Sequence, residues 1–453
     1  MGKYLKKFDT HAKYLAFTQK SDFIKPNVSH CITENHIHYN PIPYDYSKDY
    51  LTFVALESGT FTLTIGKNVP TSLLEDVSYS LDKGKTWTTV QNQDNEEVVI
   101  TTPIVESYNN VLWKGNGIST SIATSSTVAA DRPASSAIFS SDGKFNIEGN
   151  IMSLLYGSNY QNQTSFENDS TSNFALLFYS YNTETKANIV SIENLVMPVS
   201  EMKETSYLRM FQGCSELTKS CKLPATTLAD YCYTAMFYNC TSLTTAPELP
   251  ATTLATSCYS QMFQGCTSLT TPPRILPAMV LTRECYLQMF WECSSLTSIP
   301  ELPATTLAYQ CYRNMFGYCT GLGEINIELP EATLAEMCYH WMFAYCSNIT
   351  KAPDILTTTL SANNPFRTMF IDCKKLSYIK AMFLTTPSNS YTLGWVNGVA
   401  SKGIFVKHID ATWTNTGNNA CPSGWTVIYY NPETDKYYLS DKTTECDNHG
   451  NVI

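Results

Sequence analysis

The chain has 453 residues, of which 43% are hydrophobic and only 15% are charged, and its formal net charge is -10. This length suffices for two or three domains, and the acidic balance excludes the basic stripe with which proteins bind nucleic-acid backbones. The chain contains no run of about 18 apolar residues, which excludes a membrane-spanning helix. We therefore expect neither nucleic-acid binding nor membrane insertion.

Residues 1 to 48 show no pattern of a domain with its own core. They begin MGKYLKKFDTHAKYLAF, which has lysines but lacks the apolar stretch and cleavage site of a secretory signal peptide. KPNVSHC and HIHYNP then predict two short strand-like pieces. His36 and His38 would share one face of a strand and offer zinc ligands with Cys31, but no second pair completes such a site. We expect no metal here.

This segment resembles the opening segment of virion structural proteins from Bacteroides phages and prophages, including crAss-like phages. The resemblance implies that residues 1 to 48 dock the protein onto a virus particle through contacts with other virion proteins. It also agrees with the missing signal peptide, because a phage protein made in the host cytoplasm is released by lysis. Ser29 and Cys31 are among the matching residues, and the other matches are the candidate attachment residues: Leu5, Phe8, His11, Tyr14, Pro26, Asn27, Val28, His38, Tyr39, Asn40 and Pro41.

Residues 49 to 185 are predicted to form a β-sandwich of immunoglobulin-like size. YLTFVALESGTFTLTI alternates apolar and polar residues, as a half-buried strand does. VSYSLDKGKTWTTV predicts a hairpin that turns at Asp82, Lys83 and Gly84. Further short strands are punctuated by glycine, and NFALLFYSYN is interpreted as a connecting segment.

Residues 186 to 385 contain seven copies of a repeat of 26 or 27 residues. Each copy carries a Met-Phe pair, a cysteine four residues after the methionine and an aliphatic residue seven after it. Such a register predicts a solenoid, in which each unit is stable only against its neighbours. The seven methionines are Met210, Met236, Met262, Met289, Met315, Met342 and Met369.

The repeat from Leu223 to Glu248 shows what each unit is expected to form. Its apolar residues recur at intervals of i, i+4, i+5, i+8, i+9 and i+12 from Leu228, which favours an amphipathic helix. The following TSLTTAPE favours a short strand between two bends. The predicted unit is helix, turn, strand, turn, and the predicted fold class is multidomain β and α/β.

The phrase MFQGCTSLTT resembles the core of BspA-like leucine-rich repeats, which occur in surface proteins of Bacteroidetes. The resemblance implies a leucine-rich-repeat solenoid, preceded by a β-domain as in many gut Bacteroidetes proteins of this type. GWVNGVA and PSGW resemble the closing segment of the same family, so residues 386 to 453 are expected to form a C-terminal cap and tail. Trp395, Trp413 and Trp425 are interpreted as apolar plugs of this cap, with sugar stacking as the alternative.

The repeated cysteines could be disulfides, metal ligands, catalytic thiols or packing residues. On one helix, Cys311 and Cys319 would lie about 12 Å apart, beyond the limit of about 7 Å for a disulfide. No C-x-x-C zinc motif is present, and a catalytic cysteine would not recur in every repeat. We expect a buried ladder of thiols that pack repeat against repeat.

The sequence contains no common catalytic motif, so we expect a protein without enzymatic activity, catalytic residues or cofactors. The positions just before Met and just after Phe vary among repeats, and they hold aromatic side chains beside amides and charges, which suit binding to a host-surface glycan or protein. The candidate ligand surface comprises Tyr238, Trp291, Glu292, Arg313, Asn314, Tyr318, His340, Trp341 and Tyr345.

Three functional hypotheses follow. The first is a phage virion protein, either a fibre, an appendage or a capsid decoration, which would form a homo-oligomer such as a trimer. The alternative is a BspA-like adhesin on the bacterial cell surface. The third is a glycan-active enzyme with an unrecognised pair of acids.

Overall fold

The computed structural model describes residues 28–33, 36–41, 44–123, 133–166, 171–180 and 186–453. Its regular structure is almost entirely β. The α-helices of these ranges are α1 (Ser153–Tyr156) and α2 (Asn389–Thr392), and the 3₁₀ helices are Tyr46–Lys48, Pro133–Ser135 and Gly157–Asn162. Within the described residues, no helix has the length and apolar run that a membrane crossing requires.

The two strand-like pieces near the N-terminus form a hairpin of β1 (Val28–Thr33) and β2 (His36–Pro41). The strands are antiparallel, with Val28 opposite Pro41. Five of the candidate attachment residues belong to this hairpin: Val28, His38, Tyr39, Asn40 and Pro41. The others lie outside the described residues: Leu5, Phe8, His11, Tyr14, Pro26 and Asn27.

Nine strands build the region before the repeats. They are β3 (Leu51–Ala55), β4 (Phe61–Ile65), β5 (Asp76–Ser80), β6 (Thr88–Gln91), β7 (Val98–Thr101), β8 (Asn110–Gly115), β9 (Ala137–Ser141), β10 (Phe145–Asn150) and β11 (Ile189–Val196). One sheet has the strand order β11-β10-β3-β8-β5-β6, and a second has the order β7-β4-β9.

The two sheets pack through aromatic side chains. On β4, Phe61, Leu63 and Ile65 are buried because alternate residues of a strand face the same side. Phe53 on β3 meets Phe139 on β9, with ring centroids 4.9 Å apart. The region is therefore a two-sheet sandwich, and its immunoglobulin-like identity stays a prediction.

The predicted hairpin is confirmed, because β5 and β6 pair antiparallel with Tyr79 opposite Thr88. Lys83 and Gly84 both have positive φ in the turn between them, a conformation that glycine adopts without steric cost. The Asp82 carboxylate accepts hydrogen bonds from the Thr86 N–H (2.8 Å) and hydroxyl (2.7 Å). These bonds lower the pKa of Asp82 to about 2.

The sandwich continues directly into the repeats. β11 pairs parallel with β10, and Ser191 of β11 also forms a parallel bridge with Lys219 of the first repeat. The largest hydrophobic cluster of the described residues is continuous from Leu51 in the sandwich to Trp425 near the C-terminus. The strand β11 thus belongs both to the sandwich sheet and to the start of the solenoid.

The Met-Phe half of each repeat is not helical. In the second repeat, the Tyr233 N–H donates to the Cys258 carbonyl of the next repeat at 3.0 Å, whereas the Thr234 N–H donates back to the Tyr231 carbonyl at 3.2 Å. Every fourth residue, such as Tyr231 and Ala235, has a left-handed backbone. The segment between Leu228 and Cys240 is a series of successive turns, and we name this segment and its equivalents in the other repeats the turn ribbon. The predicted amphipathic helix is wrong.

The apolar spacing explains why the ribbon forms. Its period is four residues, and over twelve residues an α-helix would rotate Leu228 away from Cys240 by about 120°. The turn ribbon keeps both residues in the core. Bonding between successive repeats also satisfies the alternate backbone N–H groups that a helix would bond internally. The fold class is therefore mostly β with a solenoid, and the α/β part of the prediction is wrong.

Ladders of identical side chains fill the solenoid. Phe237 stacks on Phe263 with centroids 5.6 Å apart, and Tyr233 stacks on Tyr259 at 5.7 Å. The Cys240 thiol donates to the Phe211 carbonyl of the preceding repeat at 3.1 Å, and the equivalent cysteine of each later repeat likewise donates to the phenylalanine carbonyl of the repeat before it. The fifteen cysteines from Cys214 to Cys446 are all buried and unbridged, which confirms the packing ladder.

The ladders extend beyond the seven repeats at both ends. Phe174 stacks on Tyr207 at 5.9 Å and Phe178 on Phe211 at 5.2 Å, so the segment interpreted as a connector is an additional coil. At the other end, the Phe370 N–H donates to the Trp395 carbonyl at 2.8 Å. Phe343 donates to the Met369 carbonyl in the same way, so Trp395 occupies the position of the next methionine.

The tryptophans of the C-terminal region are plugs. Trp395, Trp413 and Trp425 are buried, and each indole N–H donates to a backbone carbonyl at 2.7 to 2.9 Å. The packing interpretation is confirmed, and these rings offer no face for a sugar.

A parallel sheet lines the strand side of the last repeats. Its strands are β12 (Glu328–Leu329), β13 (Asp354–Ile355), β14 (Tyr378–Ala381), β15 (Ile404–His408) and β16 (Thr426–Asn431). β17 (Lys436–Tyr438) and β18 (Glu445–Cys446) then add antiparallel strands at its edge. The tail of the chain therefore closes the sheet.

Candidate binding surface on the turn ribbon

The turn ribbon places pairs of residues alternately in the core and on the outside. The Met-Phe pair faces the core, and we name the two residues before Met and the two after Phe the outward pairs. Their members range from buried, such as Ala235 and Asn314, to exposed, such as Tyr318. Successive repeats bond in register, since the Asn314 N–H donates to the His340 carbonyl at 2.9 Å and the Trp341 N–H to the Arg367 carbonyl at 3.1 Å. Equivalent outward residues therefore line up in columns along the solenoid.

Four of the predicted residues form one aromatic cluster, consisting of Trp291, Tyr318, Trp341 and Tyr345. The rings of Tyr318 and Tyr345 stack at 4.6 Å, and Trp291 meets Tyr318 edge-on at 4.9 Å. Trp291 and Trp341 lie 6.5 Å apart with ring planes only 13° from parallel. Three repeats contribute to this cluster, and Tyr318 remains 38% exposed.

A glycine permits this arrangement. Gly317 occupies the column position that Trp291 holds one repeat earlier, and a β-carbon at Gly317 would collide with the Trp291 ring. The indole therefore lies along the solenoid over Gly317. Its N–H donates to the Glu292 carboxylate at 3.0 Å, which fixes the ring orientation.

Next to the aromatic cluster lies a cationic column, consisting of Arg313, His340 and Arg367 in three consecutive repeats. The His340 ring lies 5.7 Å from the Trp341 ring. Arg313 donates to the Gln310 side-chain oxygen at 3.0 Å. Across the described ranges, neither arginine forms an ion pair with a carboxylate.

Several polar atoms at this column have no partner. His340 is 8% exposed and Asn314 is 6% exposed. Within the described part of the chain, His340 Nδ1, Asn314 Oδ1 and Arg313 Nε are buried without hydrogen-bond partners. Buried polar atoms normally find a partner, because leaving one unbonded costs about 1–3 kcal/mol. Their concentration at one place marks this column as unusual within the solenoid.

The surroundings also shift two pKa values. Burial, reinforced by Arg313 and Arg367, lowers the pKa of His340 to about 4. His340 is therefore neutral at neutral pH and can either donate or accept a hydrogen bond. Burial raises the pKa of Tyr318, with smaller contributions from Tyr345, Glu292 and Asp372.

The structure brings together most, but not all, of the predicted ligand surface. Glu292, Arg313, Asn314 and His340 adjoin the aromatic cluster, whereas Tyr238 lies two repeats before Trp291 and contributes nothing to it. The prediction omitted Arg367, which the structure adds to the cationic column. Its position two residues before Met369 matches that of Arg313 before Met315, so the column could have been recognised from the repeat register alone.

No protein-family model and no curated protein matches the chain. Two solved structures are similar to it. A leucine-rich repeat protein from Bacteroides ovatus is 13% identical, with 54% of this chain and 75% of that chain covered and a TM-score of 0.16. A leucine rich cell surface protein from Faecalibacterium prausnitzii is 11% identical, with 53% and 80% covered and a TM-score of 0.18.

Proposed function

We propose that this chain is a non-enzymatic surface protein that binds a host-surface partner through the aromatic cluster on its solenoid. The observation that carries the proposal is the meeting of Trp291, Tyr318, Trp341 and Tyr345 from three repeats on an outward face. Tryptophan and tyrosine anchor binding surfaces because they bury much area at little entropic cost. The stacked ladders beneath hold these rings in place.

A binding assay on intact cells tests this proposal. The labelled full chain would be titrated onto gut bacterial and epithelial cells, beside the variant Trp291→Ala/Tyr318→Asn. Asparagine suits position 318 because its backbone is left-handed (φ 60°). We expect the variant to bind at least about tenfold more weakly. Unchanged binding by a variant with an unchanged circular dichroism spectrum would overturn the proposal.

For location, we favour the surface of a bacterial cell, where the chain would act as a BspA-like adhesin. One of the two similar solved structures is described as a cell surface protein, and neither is described as a phage protein. The second candidate is a virion protein, supported by the resemblance of residues 1 to 48 to phage virion proteins. In that case the hairpin of β1 and β2 would contact other virion proteins, and a homo-oligomer such as a trimer would be expected.

Immunogold electron microscopy separates the two locations. An antibody against residues 188 to 428 would be applied to cultures that produce the protein. Gold on cell envelopes with bare particles supports the adhesin and contradicts the virion role. Gold on phage particles with unlabelled cell envelopes supports the virion role and contradicts the adhesin.

An enzymatic role is the remaining alternative. It predicts release of reducing ends when the purified chain is incubated with capsular polysaccharide. We expect no turnover, and sustained turnover that co-purifies with the chain would contradict the proposal of a non-enzymatic protein.

A further inference from the structure

We infer that the aromatic cluster and the cationic column together bind an acidic carbohydrate, with the sugar ring on the aromatic faces and its carboxylate at Arg313, His340 and Arg367. This inference rests on the proposed function and specifies the ligand class.

The aromatic cluster provides the surface for the sugar ring. Trp291 and Trp341 have nearly parallel ring planes, so their faces point in the same direction. Pyranose rings have apolar C–H faces that pack on such aromatic faces, and carbohydrate hydroxyls need polar neighbours at the rim. Glu292 and Asn314 supply such groups next to the rings.

The cationic column provides the site for an anion. Guanidinium groups bind carboxylates through paired, charge-assisted hydrogen bonds. Arg313 and Arg367 flank His340 on either side along the solenoid, and both act on its charge state. Among the described residues, no carboxylate pairs with either arginine, so the positive charge is not neutralised within the protein.

The unpartnered atoms point to the same ligand. His340 Nδ1 and Arg313 Nε are buried without a hydrogen-bond partner in the described part of the chain. Arg313 Nε can only donate, and His340 can donate from either ring nitrogen. A carboxylate oxygen would accept from both groups. A neutral hydroxyl could satisfy one of them but would leave the guanidinium charge unpaired.

The carboxylates nearby set the direction of the ligand. Glu292 and Asp372 lie at the tyrosine side of the cluster, where both act on Tyr318. Glu336 accepts from the Asn363 amide at 3.2 Å. An acidic sugar would be repelled from Glu292 and Asp372 and attracted to the cationic column on the far side of Trp341. The surface therefore carries negative charge on its tyrosine side and positive charge at Arg313 and Arg367. It should bind an acidic ligand in a single orientation.

The test uses the full chain and a panel of carboxylated oligosaccharides, each beside its carboxyl-reduced neutral counterpart. Oligogalacturonate, sialyllactose and hyaluronan fragments are suitable, with affinity measured by calorimetry. Arg313→Gln/Arg367→Gln is the test variant. Arg274→Gln is the matched control, because Arg274 is exposed and pairs with Glu301 at 3.6 Å elsewhere on the solenoid. Thermal melting shows whether each variant is folded.

We expect at least one acidic probe to bind, and its reduced form to bind about tenfold more weakly. The double variant should lose affinity for the acidic probe by about the same factor, whereas the Arg274→Gln control should keep it. Equal binding of acidic and neutral forms, unaffected by the double variant, would overturn the anion site but not the proposed function. Binding to cells through Trp291 without binding to any probe would overturn the carbohydrate and indicate a protein partner. If the chain binds neither cells nor any oligosaccharide of the panel, the proposed function is overturned as well.

His340 offers an independent readout. A bound carboxylate favours the protonated imidazole, so the acidic probe should raise the pKa of His340 in an NMR titration. The His340→Asn variant identifies the resonance. The neutral probe should leave the pKa unchanged, and no change with a bound acidic probe would overturn the inference.

Discussion

At the scale of single residues, Gly317 tests whether the position of Trp291 matters. A β-carbon at residue 317 would collide with the indole, so Gly317→Ala should displace the ring, cost about 1 kcal/mol of stability and weaken cell binding. Tryptophan fluorescence and urea unfolding measure the two structural effects. Gly323→Ala is the matched control, because nothing lies within 4 Å of its new β-carbon. Equal behaviour of the two variants would contradict the packing of Trp291 over Gly317.

His340 gives a second prediction at this scale, on stability and pH. Its pKa is about 4 in the folded chain and about 6.5 in an unfolded one, so the unfolded state takes up a proton first as the pH falls. This contribution is neutral above pH 6.5 and destabilises the fold progressively between about pH 6.5 and 4. Urea midpoints at pH 7 and pH 5 should therefore differ less in His340→Asn than in the parent chain. An identical decrease in both would contradict this assignment.

At the scale of elements, the buried cysteine ladder should be unreactive toward thiol reagents. Thiolate is the reactive form of cysteine, and burial raises the pKa of the Cys240, Cys266 and Cys293 thiols well above the ordinary value. Cys31 lies outside the repeats, so the test uses a Cys31→Ser chain. At pH 8, a thiol reagent such as DTNB should react at least about a hundredfold more slowly with the folded protein than with the unfolded protein. Rapid labelling of several thiols in native buffer would contradict the ladder.

The elements also show what the sequence could and could not predict. The β5–β6 hairpin was predictable because the turn at Lys83 and Gly84 is encoded locally. The burial of the repeat cysteines followed from their register. The helix prediction failed because a spacing of i, i+4, i+5, i+8 suits both an amphipathic helix and the turn ribbon, and only its strict period of four, sustained to Cys240, distinguishes them. Bonding between repeats then decides the outcome, and no single repeat contains that information.

The ligand surface was predictable as a set of outward positions but not as a geometry. The repeat register identified Trp291 and Tyr318 as candidates without showing that Trp291 lies over Gly317 to reach Trp341. Likewise, Phe174 and Phe178 have the spacing of Tyr207 and Phe211, but without a Met-Phe pair or a cysteine this stretch does not show the repeat pattern. In both cases the decisive contacts join different repeats.

At the scale of the whole molecule, the additional coil predicts how the solenoid must be truncated. The first repeat is covered by Phe174 and Phe178, which stack on Tyr207 and Phe211. A chain of residues 186 to 453 begins at the predicted domain boundary and would expose this end of the ladder, whereas residues 171 to 453 keep it covered. Terminal coils of a solenoid stabilise it because each repeat depends on its neighbours.

The longer chain should therefore melt several degrees higher, by about 4 °C for each kcal/mol. It should also stay monodisperse in size-exclusion chromatography, whereas the shorter chain should aggregate. Both chains lack the pairing of β11 with β10, so this loss cancels in the comparison. Equal melting temperatures would mean that the first repeat caps itself and that residues 172 to 180 serve only as a connection.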